Sequence, residues 1–492
     1  MARPVSRREF MHLSAASLAA ASCSSLTSGR ASSQSKASKP NLVFVFPDEF
    51  RRHAIGCMGE DPVITPNLDR FASEGLLLTN AISNRPVCSP YRASMLTGRY
   101  PFSTGVTTNC WSHTVQYGVH LRESERCIGD VLKDQGYACG YIGKWHLEAP
   151  CEPALFRHGD NSAWDEFTPP GPRRHGFDFW HSYGCHDNHM RPHYWTGDAP
   201  RDGYVEVEDW SPRHEAGVAI DFIRNRDGKQ RPSSRPFALF VSMNPPHMPF
   251  ELVPPEYLER YGERTSERLL TRPNVDLATQ QGQIAKQWAK HYFAAVTGVD
   301  DQFGRILQCL REEGLDDDTI VVFTSDHGEM MGSQGRMYKS WWYEESIGVP
   351  FIIRWPGHVP QGRDELLFSA PDIMPTLLGL MGLSRQIPSV VEGTDHSRVL
   401  RGHSTERPAS ALYLNHDPDT PLEGARGLRT PRHTFVIERT PAGEVHHLYD
   451  NEADPYQVRD LAGTDDSLEK SLTAELLRWL ERTSDPWPKP AV

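Results

Sequence analysis

Apolar positions in this chain fall in short unbroken runs, and each run stops at a group of charged or imidazole side chains. Residues 41–46 form one such run, followed at once by Pro47, Asp48 and Glu49. The run at 137–142 passes into Gly143, Lys144, Trp145 and His146, and the run at 237–242 into Asn244, Pro245, Pro246 and His247. Residues 320–323 lead into Thr324, Ser325, Asp326 and His327, with Lys339 further on and a possible further strand at 349–353. Runs of this length with no polar alternation are strands buried on both faces, as in a parallel sheet. Helical spacing lies between them. Leu68, Phe71 and Ala72 mark a helix over 66–75 that Gly75 closes, and residues 128–132 give another. Trp288, Phe293, Val296, Phe303, Ile306 and Leu310 mark a long helix over 284–310.

Strands that alternate with helices predict an α/β domain: a large, mostly parallel mixed sheet flanked by helices. In such sheets ligands gather beyond the carboxyl ends of the strands. Parallel neighbours would therefore bring Asp48, Glu49, Lys144, His146, His247, Asp326 and His327 to one rim. Beyond about residue 385 the pattern changes. Short alternating strands at 411–414, 427–429, 433–437 and 444–450 and an amphipathic helix over 467–482 predict a smaller antiparallel sheet with a helix on it. The expected organisation is 1–39 as leader and linker, 40–385 as the catalytic domain, and 386–492 as a C-terminal subdomain. Residues 150–235 resist this reading. They are rich in Pro, Gly, His and aromatics, including Trp164, Phe179, Trp180, Tyr194 and Trp195. We read them as an irregular, substrate-facing insert; the grouping of His181, His186, His189 and His193 leaves a second metal site as the alternative.

Composition narrows the class. With 492 residues, 24% of them charged, the chain has an ordinary globular balance and room for a large domain plus a small one. A net charge of -12 argues against a nucleic-acid binder, though a local basic cluster can still meet an anionic substrate. Ser6-Arg7-Arg8-Glu9-Phe10-Met11 resembles a twin-arginine export signal, and the apolar run that follows is too short to span a bilayer. A lipoprotein site at Cys23 is the weaker alternative. The expected location is therefore the periplasm, an oxidising compartment. Apart from Cys23 and Cys88, seven cysteines remain, an odd number, so at least one stays unpaired within the chain.

The most informative stretch is Val87-Cys88-Ser89-Pro90-Tyr91-Arg92-Ala93-Ser94-Met95-Leu96-Thr97-Gly98-Arg99. Pro90 suits the first turn of a helix and Gly98 its end, which places Cys88 at a helix start where exposed N–H groups favour negative charge. Arg92, one turn on, can point back to the same spot. Cys-x-Pro-x-Arg followed by Leu-Thr-Gly-Arg resembles the signature of the sulfatase family, within the alkaline-phosphatase superfamily. Leu448-Tyr449-Asp450 with Asp454-Pro455 resembles that family's C-terminal segment, so the likeness runs over about residues 40–465.

The resemblance implies that a formylglycine-generating maturation enzyme oxidises Cys88 to formylglycine, whose hydrate attacks sulfur. It implies one divalent cation, commonly calcium, held by Asp48, Glu49, Asp326, His327 and the modified Cys88. Hard oxygen donors suit Ca²⁺, Mg²⁺ or Mn²⁺. By the same resemblance Asp326 serves as base, Arg92 and Lys144 hold diol and sulfate oxygens, His247 or Lys339 protonates the leaving alcohol, and His146 helps release the bound sulfate. Lys144, His247 and Lys339 also bind substrate. The expected activity is hydrolysis of sulfate monoesters, with the His- and Trp-rich insert favouring a carbohydrate. The alternatives are a phosphonate or phosphate monoester hydrolase on the same scaffold and a non-catalytic binder of sulfated glycans.

Overall fold

The computed structural model describes residues 39–150 and 164–488. The leader, Cys23 and Cys151 lie outside the described residues.

The main sheet has ten strands: β1 (Asn41–Val45), β2 (Leu76–Ile82), β3 (Ala138–Lys144), β4 (Phe179–Tyr183), β5 (His193–Thr196), β6 (Val205–Glu206), β7 (Phe237–Ser242), β8 (Thr319–Thr324), β9 (Phe351–Arg354) and β10 (Gly362–Ser369). Their spatial order is β10-β2-β9-β8-β1-β7-β3-β4-β5-β6. The central strands β8, β1, β7, β3 and β4 are parallel, with Val45 opposite both Phe323 and Val241. The pairs β8–β9, β9–β2, β4–β5 and β5–β6 are antiparallel. The mostly parallel mixed sheet is thus as expected.

The unbroken apolar runs have the predicted cause. Along β1, Leu42 and Phe44 enter the core on one side of the sheet while Val43 and Val45 enter the core on the other. The helix Gln280–Glu312 covers the second side, longer at both ends than its apolar spacing predicts. It also clamps the helix α1 (Pro66–Glu74), because Asp300 accepts hydrogen bonds from the N–H groups of Asn67 and Leu68.

The C-terminal sheet comprises β11 (Ala411–Asn415), β12 (Gly424–Arg429), β13 (His433–Thr440) and β14 (Gly443–Asp450), all antiparallel in sequential order. One face packs on the helix Asp466–Arg482 through Leu412, Leu428, Phe435 and Leu476. The other face meets Trp342 and Ile347 of the larger part through Tyr413 and Val436.

The stretch 150–235 differs from the irregular insert expected. Its described part supplies β4 to β6 and the amphipathic helix Ser211–Arg224. Phe179–Tyr183 extends the main sheet beside β3, and its polar residues His181 and Ser182 masked the strand pattern. Strands β2 and β10 also escaped the sequence reading. Among the described residues no disulfide forms; Cys57, Cys110, Cys127, Cys139, Cys185 and Cys309 are free thiols. No helix among them is long and apolar enough to cross a membrane.

Candidate active site

Strands β8, β1, β7 and β3 lie side by side and parallel, so their carboxyl ends open on one edge. The turns leaving them carry Asp326 and His327, Asp48 and Glu49, His247, and Lys144 and His146. The helix α2 (Cys88–Thr97) points its N-terminus at this edge, with Cys88 as its first residue and Gly98 ending it in the left-handed conformation.

Side-chain distances define a compact centre. Cys88 Sγ is 3.3 Å from His327 Nε2, 3.6 Å from Asp48 Oδ1 and 3.8 Å from Lys144 Nζ. Arg92 Nη2 donates to Asp48 Oδ2 at 3.1 Å and Asp326 Oδ2 at 3.0 Å, while its Nη1 donates to the Lys144 carbonyl and Ser242 Oγ. Lys144 Nζ pairs with Asp48 Oδ2 at 2.7 Å and donates to Asn244 Oδ1. Beside this centre, His247 Nε2 and Lys339 Nζ reach the same atom, Glu49 Oε2, at 3.5 and 3.4 Å. His146 stands one step back, with Nε2 at 3.1 Å from the Cys110 carbonyl.

Backbone contacts hold these turns rigid. Glu49 has φ 63°, a left-handed conformation that costs a residue with a Cβ. Its N–H donates to Asp326 Oδ1, and its carbonyl accepts from the Tyr292 hydroxyl of the long helix. Ser325 Oγ donates to the Pro47 carbonyl and accepts from the Phe50 N–H, which ties the β1 and β8 turns together.

Three imidazoles have their tautomers set by carbonyls, which only accept. His327 Nδ1 faces the Gly328 carbonyl and His247 Nδ1 the Met248 carbonyl, so each presents Nε2 to the site. His146 is the reverse: Nε2 carries the proton, and buried Nδ1 keeps its lone pair without a partner among the described residues.

The electrostatics separate the roles. Burial opposes charge on Asp48, but its cationic neighbours, Lys144 foremost, override it and hold its carboxyl well below the usual range. Burial and the charge of Asp48 push Asp326 up. Burial raises Glu49 to about 8, with Glu329 adding to the rise against the pull of Lys339. Burial and the charges of Lys339 and Lys144 keep His247 neutral. Lys339 is raised instead, because neighbouring anionic groups outweigh its burial.

Asp48, Cys88, Asp326 and His327 each offer a donor atom, and these atoms lie within 4.8 Å of one another; Asp48, Glu49 and His247 form an adjoining group. Two carboxylates crowded into one buried site favour a cation between them. Glu49 lies beside this group but shares a hydrogen bond with the Glu329 carboxyl, so the fit to an ion rests on Asp48, Asp326 and His327. His327 with Nδ1 fixed by a carbonyl has the orientation metal-bound histidines adopt. The residues present therefore fit a hard divalent ion. The four histidines of the insert do not gather in one place, but two of them join Asp165 in a second buried group of metal-ligating types, with donor atoms within 4.8 Å of one another. His181 meets His214, His189 meets the His247 carbonyl, and only His186 and His193 gather, around Asp165.

Sequence reasoning missed Asn244, Ser242 and Glu329. Asn244 and Ser242 are neutral, and the part of Glu329 depends on its contact with Glu49; for all three the only available signal was position in the same strand-end turns.

The fold and this rim define an enzyme for anionic esters, with basic groups and metal-ligating groups converging on a helix N-terminus. Residues 40–383 match the Sulfatase family model, and residues 332–485 match that of the N-sulphoglucosamine sulphohydrolase C-terminal region. An endo-4-O-sulfatase of Bacteroides thetaiotaomicron is 39% identical over 92% of this chain and 94% of its own length. An ulvan-active sulfatase of Formosa agariphila is 34% identical over 92% of this chain and 83% of its own. A sulfatase crystal structure from Bacteroides fragilis superposes with a TM-score of 0.86 at 43% identity, covering 91% of this chain and 97% of that one. The chain belongs to the sulfatase family and is a sulfuric ester hydrolase.

Proposed function

We propose that this sulfatase cleaves sulfate monoesters on carbohydrates, using a formylglycine made from Cys88 and one divalent cation, with calcium the preferred ion. The observation that carries this is the convergence of Cys88 with Asp48, Asp326 and His327, flanked by Arg92 and Lys144. The ulvan-active sulfatase, a relative whose name specifies a glycan, supports the carbohydrate class.

Asp48, Glu49, Asp326 and His327 would hold the cation, which would supply positive charge to the sulfate group and lower the pKa of the attacking hydroxyl. The hydrated aldehyde supplies that hydroxyl and a second one through which sulfate is released. The chain's own groups do the rest. Arg92 and Lys144 hold fixed positive charge where oxygen charge builds up. Asp326, paired with Arg92 at this centre, would accept the proton of the attacking hydroxyl. Lys339 is the charged partner in the Lys339–His247 pair, and so it is the one equipped to protonate the leaving oxygen. His146 Nδ1 offers a lone pair for the release step. We place the mature enzyme in the periplasm, exported on the twin-arginine signal after maturation by the formylglycine-generating enzyme.

The test has two parts. In a host that carries the maturation enzyme, the Cys88 peptide should lose roughly 18 Da, the exchange of thiol for aldehyde, which lies off the ordinary oxidation ladder. The matured protein should release sulfate from sulfated oligosaccharides in preference to small aryl sulfates, and faster than it cleaves aryl phosphonates. A persistent thiol, or preference for the phosphonate, would reject the reading.

A further inference from the structure

A row of aromatic rings leads from the rim to the surface. The Trp164 ring lies 6.3 Å from that of His146 at 72°. Trp111 stacks on Trp164 with centroids 4.7 Å apart and planes only 11° from parallel. His113 follows at 5.1 Å from Trp111, and then Tyr117, which is exposed, at 6.3 Å from His113. Both tryptophans are half-buried, so part of each indole faces solvent. They come from separate segments, Trp111 from the loop before residues 112–117 and Trp164 from the insert.

The platform is fastened to the residue beside the nucleophile. Ser89, next to Cys88, donates its N–H to Asn109 Oδ1 at 3.0 Å. Its hydroxyl accepts from the Cys110 N–H at 3.0 Å and donates to the His146 carbonyl at 2.7 Å. Thr114 Oγ1 in turn bridges the Asn109 carbonyl and the Trp111 N–H. Trp111 is therefore held at a fixed offset from Cys88, not carried on a free loop. Stacking turns one face of each indole inward, and the outer faces and edges that remain offer flat apolar area at low entropic cost. The C–H face of a pyranose ring is the matching ligand surface.

We propose that Trp111 and Trp164 form a sugar subsite. It stacks on a pyranose ring neighbouring the one whose sulfate sits at Cys88, and so selects oligosaccharides over small sulfate esters. The inference rests on the carbohydrate reading above.

The test is steady-state kinetics of wild type, Trp111→Ala, Trp164→Ala and Trp111→Phe on a 4-O-sulfated tetrasaccharide, an ulvan oligosaccharide and an aryl sulfate. The alanine variants should raise KM about tenfold on the oligosaccharide that wild type cleaves, the factor expected for loss of one aromatic contact. Their kcat on it should hold within about twofold, their aryl sulfate kinetics should change little, and Trp111→Phe should restore most of the affinity. Unchanged oligosaccharide KM in both alanine variants overturns the platform alone. So does an equal loss on oligosaccharide and aryl sulfate that Trp111→Phe does not repair. Wild type that cleaves the aryl sulfate but neither oligosaccharide rejects the carbohydrate reading, and the platform with it.

Discussion

Lys144 Nζ sits 2.7 Å from Asp48 Oδ2, and both side chains are shut off from water. Removing one member of a buried pair leaves the other charge uncompensated, at a cost of about 3–5 kcal/mol. Asp48 keeps Arg92 as a partner, which places Lys144→Ala at the low end of that range. Activity should fall far more, by about 10²-fold or greater, since a preorganised charge aimed at the reacting oxygens is lost. Urea unfolding and initial rates on one preparation separate the two effects. A variant as stable as wild type and still active would exclude the role given to Lys144.

Chelation should abolish activity, and added calcium should restore it. The donor set argues for this, since Asp48 and Asp326 share one buried site. Asp326→Asn keeps the volume but removes one charge, and it should weaken the ion's binding without loss of fold. Because Asp326→Asn also removes the assigned base, the measure is the rise in melting temperature with added calcium, the shift that a ligand of the folded state produces. If chelated enzyme keeps its full rate, the metal reading fails.

Much of this site was legible because strand ends are easy to read. Asp48, Lys144, His247 and Asp326 each follow an apolar run, and parallel pairing then forces them together. Three kinds of feature were hidden. Strand β4 carries His181 and Ser182 within it, so no apolar run announced it. Asn244 acts by joining Lys144 to the His186 carbonyl, a relation between segments far apart in sequence. Trp111 meets Trp164 only because Asn109 and Cys110 are pinned to Ser89. Local pattern carries what one element decides, and contacts between loops are outside its reach.

Glu344 links the two sheets. Its carboxylate accepts from Arg429 on β12 at 2.6 Å and also pairs with Arg52 beyond β1. Burial alone would raise its pKa, but the two guanidinium groups override burial and bring it down to about 2. A folded-state value below the unfolded one gives stability that is complete above pH about 4.5 and is lost as pH falls towards 2. Wild type should therefore lose stability across that window more steeply than Glu344→Gln, although the variant is less stable at neutral pH. Denaturant midpoints measured between pH 7 and pH 3 would show whether the curves converge. Parallel curves would assign acid sensitivity elsewhere.

Lys339 and His247 meet at Glu49 Oε2, and only Lys339 is charged in the resting site. A group that protonates the leaving oxygen matters in proportion to how basic that oxygen becomes. A sugar alkoxide needs the proton, whereas a phenolate with an electron-withdrawing substituent leaves nearly as well without it. Lys339→Ala should therefore slow sulfated oligosaccharides by about 10²–10⁴-fold, the usual range for loss of a general acid. An activated aryl sulfate should slow by less than about tenfold, with the remaining loss set by weaker electrostatic binding. His247→Ala should fall between these limits, because a neutral imidazole positions the lysine and the leaving oxygen but has no proton to spare at Nε2. A series of aryl sulfates of graded leaving-group pKa makes the comparison quantitative: the Lys339→Ala rates should depend on leaving-group pKa more steeply than the wild-type rates. Equal slopes would take the proton away from Lys339 and return Lys339 to a purely electrostatic part.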